Sequence, residues 1–292
     1  FFPTVWALKE KFFCHEKKLI KMLKKNIITN KIKKGLKNFI YLLNLNLILN
    51  QFIMKKYLTI VLLLFAFVVN AQYYSISFVN VPLENTAEFE RLETTYWSKV
   101  AKHNIENGKQ INWGLVARVG GGSDTWNYAF INVYETAEQM ADNSVWDPKS
   151  ILGIDPTEIS TNHLTAGYGV THWSVKAAIN DSNNEGTASV WNFGRPVNVN
   201  AFIDENVNLW NRAFNRDMGG RVSWGVGQKL NNIEDQYSTV MTWDSFKSVA
   251  DALKFMNGEF DQPPVRNSNM GEILPDGFTA RVIVRDVMWA ND

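Results

Sequence analysis

The strongest constraint on this chain is a pattern of strands and helices that occurs twice between Tyr73 and Trp289. The first copy reads YYSISFVNV, AEFERLETTYWSKVAKHN, INWGLVARV, WNYAFINVY, TAEQMADN and GYGVTHWSVKAAI. The second reads TASVWNFG, NAFIDENVNLWNRAFNRD, RVSWGVGQKL, QYSTVMTWD, SFKSVADALKFMNG and DGFTARVIVRDVMW. Segments that alternate with period 2 predict strands, and segments with apolar residues three or four apart predict helices. The sequence therefore predicts the order β-α-β-β-α-β in each copy.

Matching residues support this duplication. The matches are Trp97 with Trp210, Trp113-Gly114 with Trp224-Gly225, and Val133-Tyr134-Glu135 with Thr242-Trp243-Asp244. Tryptophans that recur at equivalent places indicate shared core positions, because a bulky apolar ring is most useful in the interior.

The duplicated unit resembles the ferredoxin-like dimeric α/β-barrel superfamily, in which two such sheets face each other and close a barrel. The resemblance covers essentially the whole of the chain from Tyr73 to about Trp289. It implies an α+β fold in which two ferredoxin-like repeats, residues 72–182 and 183–292, form an intramolecular α/β barrel with antiparallel sheets. Because it rests on the order and length of elements, it implies the fold and no particular reaction.

The stretch from Met54 to Gln72 has the features of a secretory signal peptide. Lys55 and Lys56 supply a positive start, an uncharged run follows, and Val69-Asn70-Ala71 suits signal peptidase. We therefore predict a signal peptide over residues 54–71 and export to the periplasm or the extracellular space. The uncharged run is shorter than the roughly 20 apolar residues of a spanning helix, so we expect no stable membrane anchor after cleavage.

Residues 1–53 differ in composition from everything downstream. They contain eleven lysines, no arginine and two acidic residues, and the sequence opens on Phe1. We interpret them as upstream, non-native sequence read in frame. The alternative is a genuine basic extension, with 39–53 and 57–69 as two membrane segments.

Removal of residues 1–71 changes the charge of the protein. The whole chain carries a formal charge of +1, whereas residues 72–292 hold 17 basic and 27 acidic residues, a net charge of about −10. A net negative protein is poorly suited to nucleic acid, which requires clustered Lys and Arg. The only cysteine, Cys14, is removed as well, so no disulfide can form in the exported protein.

The predicted ligand site is an aromatic face inside the barrel. Strand alternation places Trp126, Tyr128, Phe130 and Tyr134 on one face of the third strand, which we expect to line the barrel interior. The candidate ligand-binding residues are Asn80, Trp126, Tyr128, Phe130, His172 and Trp173. An aromatic pocket with a few polar groups is typical of a small-molecule site. The alternative is that these rings fill the core.

The sequence predicts neither a metal site nor a cofactor. Three histidines remain after cleavage, His103, His163 and His172, and they have no HxxH-type spacing and no cysteine to complete a zinc site. His172 is the candidate general base. Haem enzymes of this architecture that resemble chlorite dismutase carry their axial histidine in the second half, and the second half here has none, so haem is not expected.

Three functions remain open at this point, and whether the protein is an enzyme is undecided. The first, which we favour from the sequence, is an exported protein that binds a small apolar or aromatic molecule in the barrel. The second is an enzyme resembling cofactor-independent monooxygenases, with His172, Trp126, Tyr128 and Asn80 in its pocket. The third is a structural protein that assembles as a homo-oligomer. Two long insertions, Ser144–Gly167 and Glu259–Pro275, are expected to carry functional residues.

Overall fold

The computed structural model describes residues 72–121, 125–180, 185–231, 237–260, 262–263 and 265–290. The predicted signal peptide and the extension before it lie outside these residues. Within the described ranges, no helix is both long enough and apolar enough to cross a membrane.

Eight antiparallel strands form a closed barrel, which confirms the predicted α+β barrel fold. The strands are β1 (Tyr73–Asn80), β2 (Asn112–Arg118), β3 (Tyr128–Tyr134), β4 (Gly167–Asn180), β5 (Ala188–Gly194), β6 (Ser223–Lys229), β7 (Val240–Phe246) and β8 (Ala280–Trp289). Their order around the barrel is β1-β3-β2-β8-β5-β7-β6-β4. The first half supplies β4-β1-β3-β2, the second supplies β8-β5-β7-β6, and the pairs β2–β8 and β4–β6 join them.

Helices cover the outer face of each half of the barrel. The α-helices are α1 (Thr86–Leu92), α2 (Ser98–Glu106), α3 (Ala137–Ala141), α4 (Pro148–Leu152), α5 (Val199–Glu205), α6 (Asn211–Phe214), α7 (Val249–Met256) and α8 (Met270–Ile273). Short 3-10 turns occupy Leu83–Asn85, Asn143–Val145, Pro156–Glu158 and Asn162–Leu164.

The main helix of each half contains a π-helical segment. Glu93–Trp97 lies between α1 and α2, and Asn206–Trp210 lies between α5 and α6. A π-helical turn shifts the helix face that follows it, and such turns are frequent at functional sites. The first residue of each segment, Glu93 or Asn206, is polar and buried.

The hydrophobic core has an inner and an outer part because neighbouring strand residues point to opposite sides of the sheet. The barrel interior contains Tyr74, Ile76, Val116, Ala129, Trp173, Trp191, Phe193 and Met241. The layer between the first half of the sheet and its helices contains Phe89, Leu92, Trp113, Leu115 and Tyr128. The corresponding layer of the second half contains Phe202, Phe214, Trp224, Val226 and Leu274.

The hairpin register corrects one predicted match between the halves. Trp113 pairs with Asn132, and Trp224 pairs with Asp244. Asn132 therefore occupies the place of Asp244, whereas the sequence comparison matched Asp244 with Glu135. The predicted alignment was displaced by three residues because it was anchored on an aromatic pair that does not share a position in the sheet.

Candidate functional site

A cavity of about 850 Å³ lies between the outer face of the first half of the sheet and the helices that cover it. Its sheet side includes Ser75, Phe130, Asn132 and His172, its helix side includes Phe89, Glu93 and Trp97, and Trp146 and Thr161 contribute from the long insertion. Aromatic walls with a few polar groups are typical of a small-molecule site.

Glu93 is the buried acid of this cavity. The residue is 4% exposed, and its Oε1 accepts a hydrogen bond of 2.7 Å from the Thr161 hydroxyl. Burial raises the pKa of Glu93 from the ordinary 4.5 to about 7, and the Thr161 hydrogen bond opposes this rise. At neutral pH the carboxyl group is therefore present in both protonation states, which suits it to accept or donate a proton.

The helix places Glu93 against the sheet. Phe89, Glu93 and Trp97 are four residues apart, a spacing that keeps them on approximately one face of the helix. Phe89 packs on Phe130 at 5.9 Å between ring centroids, so this face lies directly over β3. The sequence thus carries an acid within an apolar stripe, and the stripe determines where the acid is buried.

Three side chains from the helical region 85–104 hydrogen-bond to the long insertion and hold it over the cavity. Trp97 Nε1 donates to Ile159 O at 2.9 Å, Asn104 Nδ2 donates to Val145 O at 3.0 Å, and Asn85 Nδ2 donates to Leu164 O at 3.1 Å. These bonds satisfy carbonyl groups of a segment with little regular structure. They keep Thr161 within reach of Glu93.

The sheet side of the cavity carries an unsatisfied acceptor. Asn132 Nδ2 donates to Ser75 Oγ at 3.4 Å, whereas Asn132 Oδ1 has no hydrogen-bond partner among the residues that the structure describes. A buried acceptor without a partner costs about 1–3 kcal/mol. A hydroxyl group of a bound molecule could satisfy it. His172 pairs with Ser75 across β1 and β4 and so lies on the same face.

The second half lacks this combination of groups. Asn206 stands at the place of Glu93, and its Nδ2 donates to Phe202 O within the helix at 2.8 Å. Asp244 stands at the place of Asn132 and pairs with the buried guanidinium of Arg221. Arg221 in turn lies over the Phe214 ring at 4.5 Å. The corresponding layer of the second half is packed with aromatic and aliphatic side chains.

Three of the six predicted site residues lie on the side of the sheet opposite to the prediction. Tyr128, Phe130 and His172 were expected inside the barrel, and they face the helix layer instead. The error has a physical cause: β3 begins at Tyr128, so Trp126 lies outside the regular strand and does not set its alternation. Likewise, His172 and Trp173 are successive residues of β4 and must point to opposite faces.

These displaced residues have different surroundings. Phe130 and His172 line the outer cavity. The Tyr128 hydroxyl donates to Glu90 Oε1 at 2.6 Å, which makes it a link between β3 and α1.

The other three predicted residues lie in the interior or at the end of the barrel. Trp126 and Trp173 face inward, where Trp126 stacks near Trp191 with ring centroids 6.0 Å apart. Trp173 is completely buried and donates its Nε1 hydrogen to Thr171 Oγ1 at 2.8 Å. Trp173 belongs to the buried core of the barrel, and the partly buried Trp126 packs against that core. Asn80 ends β1 opposite Gly167 and does not line the outer cavity.

Glu93, Thr161 and Asn132 did not stand out in the sequence as site residues. The available signal was the position of Glu93, four residues after Phe89 and four before Trp97, because an acid on an apolar stripe is rarely buried without a reason. Thr161 and Asn132 carry no such signal. Among the described residues, no group of three His, Cys, Asp or Glu side chains could hold a metal ion.

No protein-family model and no curated protein matches this chain. Similar solved structures include a provisionally described monooxygenase from Lactobacillus acidophilus, with 10% identity, a TM-score of 0.46, and coverage of 75% of this chain and 95% of that one. A second, from Fusobacterium nucleatum, has 11% identity, a TM-score of 0.46, and coverage of 76% and 94%. A variant of the chlorite dismutase from Candidatus Nitrospira defluvii has 9% identity, a TM-score of 0.44, and coverage of 74% and 91%.

Proposed function

We propose that this protein is a small-molecule enzyme that transfers a proton from an aromatic substrate bound in the outer cavity, with Glu93 as the general base. The proposal rests on one observation: a carboxyl group whose pKa is about 7 is buried in a cavity of about 850 Å³. A base is most effective when its pKa lies near the working pH. This differs from the barrel-binding function favoured by the sequence, because the residues that define this cavity lie outside the barrel.

The cavity wall indicates the class of substrate. Trp97, Trp113 and Phe130 contribute aromatic surface, and the volume accommodates two or three fused rings. Asn132 Oδ1 offers an acceptor for a hydroxyl group. Glu93 and His172 are the titratable side chains among those described as lining the cavity, apart from the phenol of Tyr134. Among the described lining residues there is no lysine or arginine to bind an anion, so a neutral substrate with a weakly acidic proton fits best.

The reaction can then proceed in two ways. Glu93 removes the proton, and the substrate anion is either reprotonated at another atom or oxidised by dioxygen. In the second, monooxygenase-like form, a CH₂ group becomes a carbonyl group, one oxygen atom of O₂ enters the product and the other leaves as water. His172 lines the same cavity and is the candidate second proton carrier.

Anthrone is a suitable probe because it is a neutral tricyclic carbon acid whose oxidation by O₂ yields anthraquinone and water. We expect the exported protein to bind anthrone and to accelerate anthraquinone formation, measured by absorbance and oxygen consumption. Glu93→Gln should retain binding and lower the rate by about 100-fold or more, since a general base typically contributes that much. Glu106→Gln, an exposed acid in α2, is the matched control.

A rate that is unchanged in Glu93→Gln would refute the role of this base. Phe130→Ala removes an aromatic ring from the wall of the outer cavity. If this variant binds anthrone as tightly as the unaltered protein does, anthrone does not bind in the outer cavity.

A further inference from the structure

A second cavity, of about 420 Å³, opens at one end of the barrel interior. It lies where β1, β2, β5 and β6 begin and where β3, β4, β7 and β8 end. Its inner wall is formed by the rings of Tyr74, Trp191, Trp243 and Trp289, and its rim carries Asn180, Ser189, Ser223, Ser245 and Asp286. An aromatic chamber with a polar rim suits a molecule that is apolar along most of its length.

Tyr74 is the feature that indicates a ligand. The residue is 5% exposed, and its hydroxyl group has no hydrogen-bond partner among the described residues. Its ring is fixed, because it stacks on Trp173 with centroids 5.9 Å apart and meets the edge of Trp243 at 6.0 Å. Burial raises the pKa of the phenol, so the group remains a hydrogen-bond donor at every physiological pH.

The backbone of β6 is shaped to admit these rings. A side chain at Gly225 would overlap the Trp243 ring, and one at Gly227 would overlap the Tyr74 hydroxyl group. Both glycines face the interior because alternate residues of a strand share a face. A glycine in a strand interior weakens the strand, and a close approach of another group is a common reason for its presence.

The charge at the rim restricts the ligand further. Asp286 is the one charged side chain among the described residues that line this cavity. No lysine, arginine or histidine is among these described lining residues, so an anionic ligand would find no counter-charge in the cavity.

We propose that the barrel cavity binds a neutral, flat aromatic molecule of one or two rings, with a carbonyl oxygen directed at the Tyr74 hydroxyl group. This site does not depend on the proposed function of the outer cavity. Alternation in β3 separates the two cavities: Ile131 and Val133 line the barrel cavity, and Phe130 and Asn132 line the outer one.

Coumarin tests the proposal, since it is a neutral bicyclic molecule with one carbonyl group. We expect the exported protein to bind coumarin in isothermal titration calorimetry, and Tyr74→Phe to bind it about tenfold more weakly. Naphthalene, which lacks the carbonyl group, should bind both proteins equally, and coumarin-3-carboxylate should bind more weakly than coumarin. Tyr74→Phe should be at least as stable as the unaltered protein because it removes an unsatisfied buried hydroxyl group.

Two further variants separate the two sites. Ala178→Leu narrows the barrel cavity and should abolish coumarin binding, whereas Glu93→Gln should leave it unchanged. The proposal is overturned if coumarin does not bind, if Tyr74→Phe binds it as tightly as the unaltered protein does, or if Glu93→Gln loses it. Failure of anthrone turnover alone would leave these binding results standing.

Discussion

Glu93 and Asn206 show how a single residue can distinguish two otherwise similar elements. Each begins a π-helical segment, and each is buried. An amide in this place satisfies its hydrogen bonds inside the helix, as Asn206 does with Phe202 O. A carboxyl group there must remain protonated or bear the cost of desolvation. The acid in the first half is thus retained at a cost to stability, which is typical of a functional group.

The stability of the protein should therefore depend on the protonation of Glu93. Because its folded-state pKa of about 7 lies above the ordinary 4.5, its stabilising contribution is complete below pH 4.5 and is lost as the pH rises through 7. We expect Glu93→Gln to lack this loss, which amounts to about 3 kcal/mol in the free energy of unfolding. Urea denaturation at pH 4.5 and pH 8.5 measures it. Parallel pH profiles for Glu93→Gln and the unaltered protein would contradict this assignment.

Thr161, in the long insertion, should influence the pKa of Glu93 through its hydrogen bond to the carboxyl group. Its hydroxyl group stabilises the Glu93 carboxylate and thereby lowers the pKa of Glu93. Thr161→Val should raise that pKa above 7 and shift the pH profile of activity toward higher pH. A ¹³C NMR titration of the Glu93 carboxyl group measures the change directly. Thr157→Val, in the same insertion but bonded to Asp155, should leave the titration unchanged.

At the scale of elements, the sequence predicted the strands and helices but not which faces they bury. The alternation of β3 was readable, yet its phase depended on Trp126, which precedes the strand. Which face of β3 points inward also depends on the side chains that fill the barrel. Trp173, Trp191 and Phe193, which come from other strands, occupy much of that interior. These bulky rings leave room for small residues such as Ala129 on the inner face of β3. For this reason the candidate site lies between the sheet and the helices and not in the barrel interior.

A buried ion pair in the second half joins Arg221, which precedes β6, to Asp244 of β7. Arg221 bonds to Asp244, and its Nη2 also donates to Gln262 Oε1 at 2.7 Å. We expect Asp244→Asn to lower the free energy of unfolding by about 3–5 kcal/mol, because it leaves a buried guanidinium group without its counter-charge. Urea denaturation measures the loss.

Two controls show whether burial is the cause. Glu88→Gln, which breaks the exposed pair with Arg91, should leave the free energy of unfolding almost unchanged, because solvent screens that pair. The double replacement Arg221→Met with Asp244→Leu should recover most of the loss, because it removes both charges together. Equal effects at the buried and exposed pairs would contradict this explanation.

At the scale of the whole molecule, we propose that the protein is exported and that its mature form begins at Gln72. The basis is the Lys55–Lys56 start, the uncharged run and the Val69-Asn70-Ala71 cleavage signal. Expression from Met54 in a bacterial host with an export pathway should give a periplasmic or secreted product. Its intact mass should correspond to cleavage after Ala71. Ala71→Arg should block processing, and a mature mass that is unchanged in this variant would argue against the site.

The closure of the barrel within one chain leads to a final prediction about its two halves. Each half presents an edge strand at both sides of its sheet: β4 and β2 in the first half, and β8 and β6 in the second. In the intact protein β2 pairs with β8 and β4 pairs with β6, so every described strand has two neighbours. A separated half would expose two such edges, and exposed edges favour association with another sheet.

We therefore expect fragment 72–182 and fragment 183–292 each to self-associate when expressed alone, and to form a one-to-one complex when expressed together. Size-exclusion chromatography with light scattering and native mass spectrometry measures the states. The mixed complex should regain the pH-dependent stability that Glu93 confers, whereas a complex containing Glu93→Gln should not. Folded monomers of either fragment alone would show that a half of the sheet is stable with unpaired edges, and that closure of the barrel is not what holds the two halves together.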